Sequence, residues 1–366
     1  MTYKETLFFV GKCLTINHID KNKFEIETEL KTNLVDWDSV VKVSTEHYVF
    51  PALYCNLKKA NFLNYLPEDL VGYMEHITNL NRERNQKIIA QAKEINELLL
   101  ANNIIPIFLK GTGNLLEGLY EDVGERMVGD IDFIVSIKNY KNTISILKND
   151  GYENVHKQAY IYPEFKHYPK IHKEGKKTIA SVEIHKELIA ERFSNEFNYK
   201  IIQKDCLLIN EFYVLNYQNQ LNLTIIAKQI NDFGNFYKSL SLRNAYDLFL
   251  LANKTNALEA ISQFKKLYIP LNNFLAICYE VMGKTEILNY KNLKSTKKYI
   301  YLFKRILKDE KFRKIHSYIA SWKVFFTERL EFIRFSFQKK EYRDWIFKRL
   351  KDKNWQKEKI KNFNYF

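Results

Sequence analysis

"LKGTGNLLEGLYEDVGERMVGDIDFIV", residues 109–135, sets a Gly-Thr-Gly step directly after an apolar run and an Asp-Ile-Asp directly before another. The two halves ask for different chemistry. On a strand, Asp130 and Asp132 stand two positions apart and project from one face, with Ile131 and Phe133 turned the other way toward a core. Neighbouring carboxylates repel and raise each other's pKa unless a cation sits between them. Hard oxygen ligands at this spacing suit Mg²⁺, with Mn²⁺ as the alternative ion. Upstream, Lys110-Gly111-Thr112-Gly113 follows "IIPIFL" and reads as a bare backbone turn entering the helix "NLLEGLY". A helix N-terminus offers free N–H groups and a positive dipole end, and Thr112 is placed to cap it or to bind a phosphate oxygen.

A phosphate cradle one helix away from a carboxylate pair points to a metal-bound triphosphate as ligand. A third carboxylate would complete a two-metal centre for in-line displacement. Glu183 in "IASVEIHKEL" is the candidate, because Val182 and Ile184 face away from it on an apparent strand. His185 shares the face of Glu183, where it can bind substrate or steer that carboxylate. Arg126, four residues before Asp130, and Lys110 are placed to meet phosphates.

Around this stretch the texture is that of a small α/β sheet. "IIPIFLK" and "IDFIVSI" read as strands, "NYKNTISILKNDG" as a helix ending at Gly151, and "ENVHKQAYIY" as a third strand or loop. "FKHYPKIHK", the turn "EGKK" and "TIASVEIHKEL" form a hairpin with period-2 alternation. The flanks read as helices. "LPEDLVGYMEHITNLNRERNQKIIAQAKEINELLLANN" is one long helix or two, opened by Pro67, Glu68 and Asp69 and stopped by Asn102-Asn103. "FYVLNYQNQLNLTIIAKQIND" and "LSLRNAYDLFLLANK" are amphipathic. In the latter, Arg243 and Asp247 either pair at i,i+4 or reach the site from the C-terminal helices.

The arrangement resembles the minimal nucleotidyltransferases of the DNA polymerase β-like superfamily. Within it, the chain is most similar to a bacterial nucleotidyltransferase family patterned Leu-Lys-Gly, Leu-Tyr, Arg, Gly-Asp-Ile-Asp and Glu-Ile-His. Here these are "LKG" at 109–111, "LY" at 119–120, Arg126, "GDID" at 129–132 and "EIH" at 183–185. Thr112 departs from the Gly or Ser more usual in the superfamily, and 17 residues separate it from Asp130, more than in the smallest members. The resemblance implies an α+β fold: a small mixed-sheet nucleotidyltransferase core at 104–192, a helical region before it at 1–103, and helices packing on it at 193–290. It further implies Mg²⁺-dependent transfer of an NMP from an NTP, with Asp130, Asp132 and Glu183 as catalytic metal ligands. Lys110, Gly111, Thr112, Gly113 and Arg126 would hold the nucleotide, and His185 would orient the acceptor. That acceptor is open: an RNA end, a small molecule or sugar, a peptide or a protein. A catalytically silent nucleotide-binding or antitoxin-like module of the same fold is the rival reading.

Bulk properties bound the rest. Hydrophobic content of 46% and aromatic content of 15%, with 11 Gly and 6 Pro in 366 residues, suit a folded chain rather than a disordered one. Cys13, Cys55, Cys206 and Cys278 lie far apart, which fits reduced thiols. The start "MTYKETLFFVGKCLT" lacks the form of a secretory signal and no run suits a transmembrane helix, so a cytoplasmic location is expected. The net charge of +14 sits in the last fifth: residues 291–366 carry 23 Lys/Arg against 8 Asp/Glu. This basic, aromatic-rich helical segment reads either as a surface for RNA or another polyanion or as a solvated Lys-rich tail. Its many aromatics imply that it packs on something.

Overall fold

Five helices precede the first strand: α1 (Tyr3–Cys13), α2 (Asp20–Leu30), α3 (Trp37–Glu46), α4 (Phe50–Lys59) and α5 (Glu68–Ala101). They belong to a computed structural model that describes residues 1–156, 163, 165–175 and 178–353. Thr2 and Glu5 close a capping box on α1, and Asp36 caps α3 by accepting from the Ser39 amide. α5 is one continuous helix of 34 residues with Glu68 and Asp69 in its first turn. Its buried stripe of Met74, Thr78, Asn81, Asn85, Ile88, Ala92, Ile95 and Leu99 recurs every three or four positions. The two asparagines belong there because their amides bond backbone oxygens of the loop before the Asp-Ile-Asp strand: Asn81 to Gly124 and Arg126, Asn85 to Val123 and Arg126.

The sheet follows, with β1 (Ile107–Phe108), α6 (Lys110–Glu117), β2 (Asp130–Ile134), α7 (Ile137–Asn149), β3 (Glu153–Asn154), β4 (Ile171–His172) and β5 (Ser181–His185). After the short α8 (Tyr199–Ile202) it gains β6 (Leu207–Ile209) and β7 (Phe212–Val214). Among the described residues the seven strands run in the order β3-β4-β5-β2-β1-β7-β6. β2 lies parallel to β5 and β1 parallel to β7, while the remaining pairs are antiparallel, so the sheet is mixed and the fold is α+β. The expected hairpin is present as β4–β5, with Ile171 opposite Val182; part of its "EGKK" turn, and much of "ENVHKQAYIY", lies outside the described residues.

The sheet extends past residue 192, where helix was expected. "FYV" at 212–214 forms β7 because Asn210 and Glu211, at φ of 47° and 72°, fold back the preceding β6 as a tight hairpin. Helical structure resumes at α9 (Tyr217–Ile226), buried on nearly every side, which runs into a π-helical stretch at Ala227–Asn231. Then come α10 (Gly234–Tyr237), α11 (Leu242–Ala252), α12 (Ala257–Ser262), α13 (Tyr268–Val281), α14 (Lys294–Lys308), α15 (Glu310–Gln338) and α16 (Lys340–Leu350). One apolar core runs unbroken from Leu7 through the sheet to Phe303. α14 joins it through Tyr299 and Phe303, but α15 buries little of itself: Ala320, Val324 and Ser336.

Candidate active site

The parallel pairing of β2 with β5 builds the centre. Its register sets Asp130 beside Ser181, Asp132 beside Glu183 and Ile134 beside His185. Ile131, Phe133, Val182 and Ile184 are fully buried on the other side, so alternation turns all three carboxylates to one face. Asp132 and Glu183 are 7% and 8% exposed. Three carboxylates this close cannot stay ionised without cations.

Two lysines supply them. Lys110 Nζ lies 2.7 Å from Asp132 Oδ1 and 3.6 Å from Glu183 Oε2. Lys170 Nζ lies 2.6 Å from Asp130 Oδ2 and 3.3 Å from Glu183 Oε1. Burial lowers the pKa of each ammonium, but their carboxylate partners outweigh it and hold both above the ordinary lysine value. Burial likewise pushes the Glu183 carboxyl up, yet the His185 hydrogen bond, Lys110 and His167 together hold it well below the usual range. His185 Nε2 lies 2.9 Å from Asp132 Oδ1 and 3.5 Å from Glu183 Oε2, and so steers both carboxylates. Its ring stands 5.1 Å from that of His167.

Lys110 reaches the centre at a backbone cost. It opens α6 with φ of 53°, a left-handed conformation costing roughly 1 kcal/mol for a residue with a Cβ. Gly111 and Gly113 follow within the first turn of the helix, not in a turn ahead of it. A Cβ on Gly113 would stand 2.8 Å from the Phe108 carbonyl oxygen, and one on Gly111 would press on Val128 and the Arg126 guanidinium. These glycines let the helix start sit down on β1 and on the chain beneath it. The early N–H groups of α6 lack partners within the helix, as at any helix start.

Two residues expected to meet the nucleotide bond groups within the protein. Thr112 is 1% exposed, and its hydroxyl donates to the Asp130 carbonyl at 2.9 Å, fastening α6 to β2. Arg126 is 7% exposed, and its guanidinium is spent on Asp247 (2.9–3.0 Å) and on the Met127 carbonyl. Asp247 also accepts from the Tyr120 hydroxyl at 2.7 Å. That settles the choice left open for α11: Asp247 turns inward to Arg126, while Arg243 stacks on the Tyr48 ring, 4.9 Å from its centroid. The sequence reading missed Lys170 altogether. One step beyond the Ile171–Val182 pair, it lies across the hairpin from Glu183, a placement that becomes visible only once the register is known.

Asp132, Glu183 and His185 each present a ligand atom within 4.8 Å of the others, and Asp130 stands on the same face. Mostly carboxylate oxygens with one imidazole nitrogen, this donor set fits a divalent cation that tolerates oxygen ligands. Beside His167 a cavity of about 290 Å³ opens between the sheet edge and α15–α16, lined by Lys166, His167, Ile230, Phe233 and Glu328 among others.

A family model described as an uncharacterised nucleotidyltransferase matches residues 33–282, well over half of the chain. No curated protein and no solved structure gives a significant match. With its carboxylate centre inside the matched span, the chain belongs to that uncharacterised nucleotidyltransferase family.

Proposed function

We propose that the protein transfers a nucleoside monophosphate from an NTP to an acceptor, releasing pyrophosphate, on a polymerase β-like core. One observation carries this: Asp130, Asp132 and Glu183 converge from parallel neighbouring strands beside the glycine-bearing start of α6. Magnesium held by these carboxylates would supply the positive charge that a triphosphate and its departing pyrophosphate need. In the reaction an acceptor oxygen attacks the α-phosphorus, the bond to the β-phosphate oxygen breaks, and the acceptor's proton passes to a base. Once Lys110 and Lys170 have moved from it to the phosphates, Glu183, steered by His185, is positioned to take or relay it. Lys110 and Lys170 are the cations able to leave the carboxylates for the phosphates, and the first N–H groups of α6 lie on the Lys110 side. The cavity beside His167 holds the acceptor; its volume suits a small molecule or the end of a longer chain.

Incubation with each NTP, Mg²⁺ or Mn²⁺, and a cell extract tests this by pyrophosphate release and label transfer. Wild type is expected to label an acceptor, and Asp132→Asn to lose at least ~100-fold of the rate. Pyrophosphate release from no NTP, or equal release by both proteins, would sink it. The same two lysine pairs favour a second reading, a silent nucleotide-binding module, because they neutralise the carboxylates without any metal. Nucleotide binding with no turnover would select that reading.

A further inference from the structure

α15 faces the wrong way for a helix of a water-soluble body. Its side toward the protein carries small residues, Ala320 and Val324, together with Glu331, which pairs with Arg192. At about 100° per residue the opposite side bears Ile315, Ile319, Trp322, Phe326, Leu330 and Phe337, each between 44% and 80% exposed. Trp322 and Phe326 stack 5.6 Å apart, and together with Phe236 of α10 they border a groove of about 530 Å³. The strip runs about 33 Å along the helix at 1.5 Å per residue.

Charge is sorted around it. Lys323 and Arg334 edge the strip on one side, Lys311, Lys314 and Arg329 on the other, while Glu310, Glu328 and Glu331 fall on the packing side. Among the described residues Lys323, Arg329 and Arg334 have no carboxylate partner; the ion pairs of this helix are those of Glu310 and Glu331. A second copy meeting this strip would press cations against cations along both edges, in either direction of crossing. An anionic surface would meet the apolar strip and both basic edges at once.

We propose that α15 lies flat on an anionic lipid bilayer, with Trp322, Phe326 and their apolar neighbours in the interface and the flanking Lys and Arg against lipid phosphates. No helix of the described residues is long and apolar enough to cross a membrane, so the helix rests on the surface. Its inner side, through Glu328 and Glu331, lines the cavity beside His167. Docking therefore brings that cavity to within roughly one helix diameter, ~10 Å, of the headgroups.

Flotation of the full chain with vesicles tests this. Phosphatidylcholine alone is compared with phosphatidylcholine carrying phosphatidylglycerol as about a third of the lipid. The protein is expected to float with the anionic vesicles alone and to be released by salt. The triple variant Lys323→Gln, Arg329→Gln, Arg334→Gln should partition roughly 100-fold less. Trp322→Ser with Phe326→Ser should abolish flotation while circular dichroism and the thermal midpoint hold, since both side chains are exposed. Failure to float with anionic vesicles overturns the proposal, as does undiminished flotation of the Trp322/Phe326 variant. So does a dimer, measured by light scattering, that this variant dissociates. Single-stranded RNA binding that it weakens, in a protein that ignores vesicles, would assign the strip to RNA instead.

Discussion

Replacing Lys170 by Gln should make the centre bind a divalent ion more tightly while making the enzyme worse. The Lys170 ammonium lies 2.6 Å from Asp130 and 3.3 Å from Glu183, so an ion using those oxygens must displace it or endure its repulsion. Two unit charges 4 Å apart interact by about 1 kcal/mol in bulk water and about 4 kcal/mol at the dielectric of a protein surface. The Lys170 side chain is 42% exposed, which places the effect at the low end, about 1 kcal/mol, or about fivefold in affinity. Lys110, 31% exposed against carboxylates at 10%, is better sheltered. Lys110→Gln should gain about 2 kcal/mol, or about 30-fold. Calorimetric titration of Mn²⁺ at fixed ionic strength, with no nucleotide present, reads this directly. On the proposed mechanism the same variants should raise KM for the NTP, because each removes a cation assigned there to the phosphates. Mn²⁺ binding that weakens or stays unchanged in both variants would refute the reasoning, for the lysines would then not be competing with an ion for these oxygens.

The buried Arg126–Asp247 pair predicts a non-additive cycle. Arg126→Met or Asp247→Leu alone should cost about 3–5 kcal/mol, read as a fall in the urea midpoint, because each strands the other's charge. The double variant should recover most of that loss, and additive losses would show that the two groups act apart. His47 predicts acid sensitivity. Its Nδ1 accepts from the Leu242 amide, and burial, with Lys228 adding to it, pushes its pKa down to about 4. With the unfolded value near 6.5, the unfolded chain binds the extra proton between those limits, so stability falls as pH drops from about 6.5 to 4, by about 2–3 kcal/mol in all. Urea midpoints across that range should slope less in His47→Gln, and an unchanged slope would remove His47 from the account.

The carboxylate face was legible because strand alternation is local: seven residues around Asp130 and five around Glu183 suffice to orient the side chains. What neutralises those carboxylates was not. Lys170 meets Glu183 only through the β4–β5 register, and Lys110 only through a left-handed residue that no propensity announces. The Arg126 pairing was hidden because Asp247 lies 121 positions away, out of reach of any window of sequence. The Thr112 bond to the Asp130 carbonyl was hidden for the opposite reason, since it depends on the helix starting four residues earlier than the glycines suggest. "FYV" at 212–214 suits a strand and an amphipathic helix equally, and the backward-folding Asn210-Glu211 decides between them. In the tail, abundant aromatics signalled packing for α14, while α15 turns Tyr318, Trp322, Phe326 and Phe337 outward.

The cluster of Asn81, Asn85, Arg126, Tyr120 and Asp247 stitches α5, the loop before β2 and α11 into one knot directly under Gly111. The segment that carries the three carboxylates therefore cannot be lifted out as a cassette. Excising residues 104–192 would leave the Arg126 guanidinium without its counter-ion beneath the start of α6. Grafting a new segment onto this scaffold would have to spare Asp247, which holds Arg126 and Tyr120 in place.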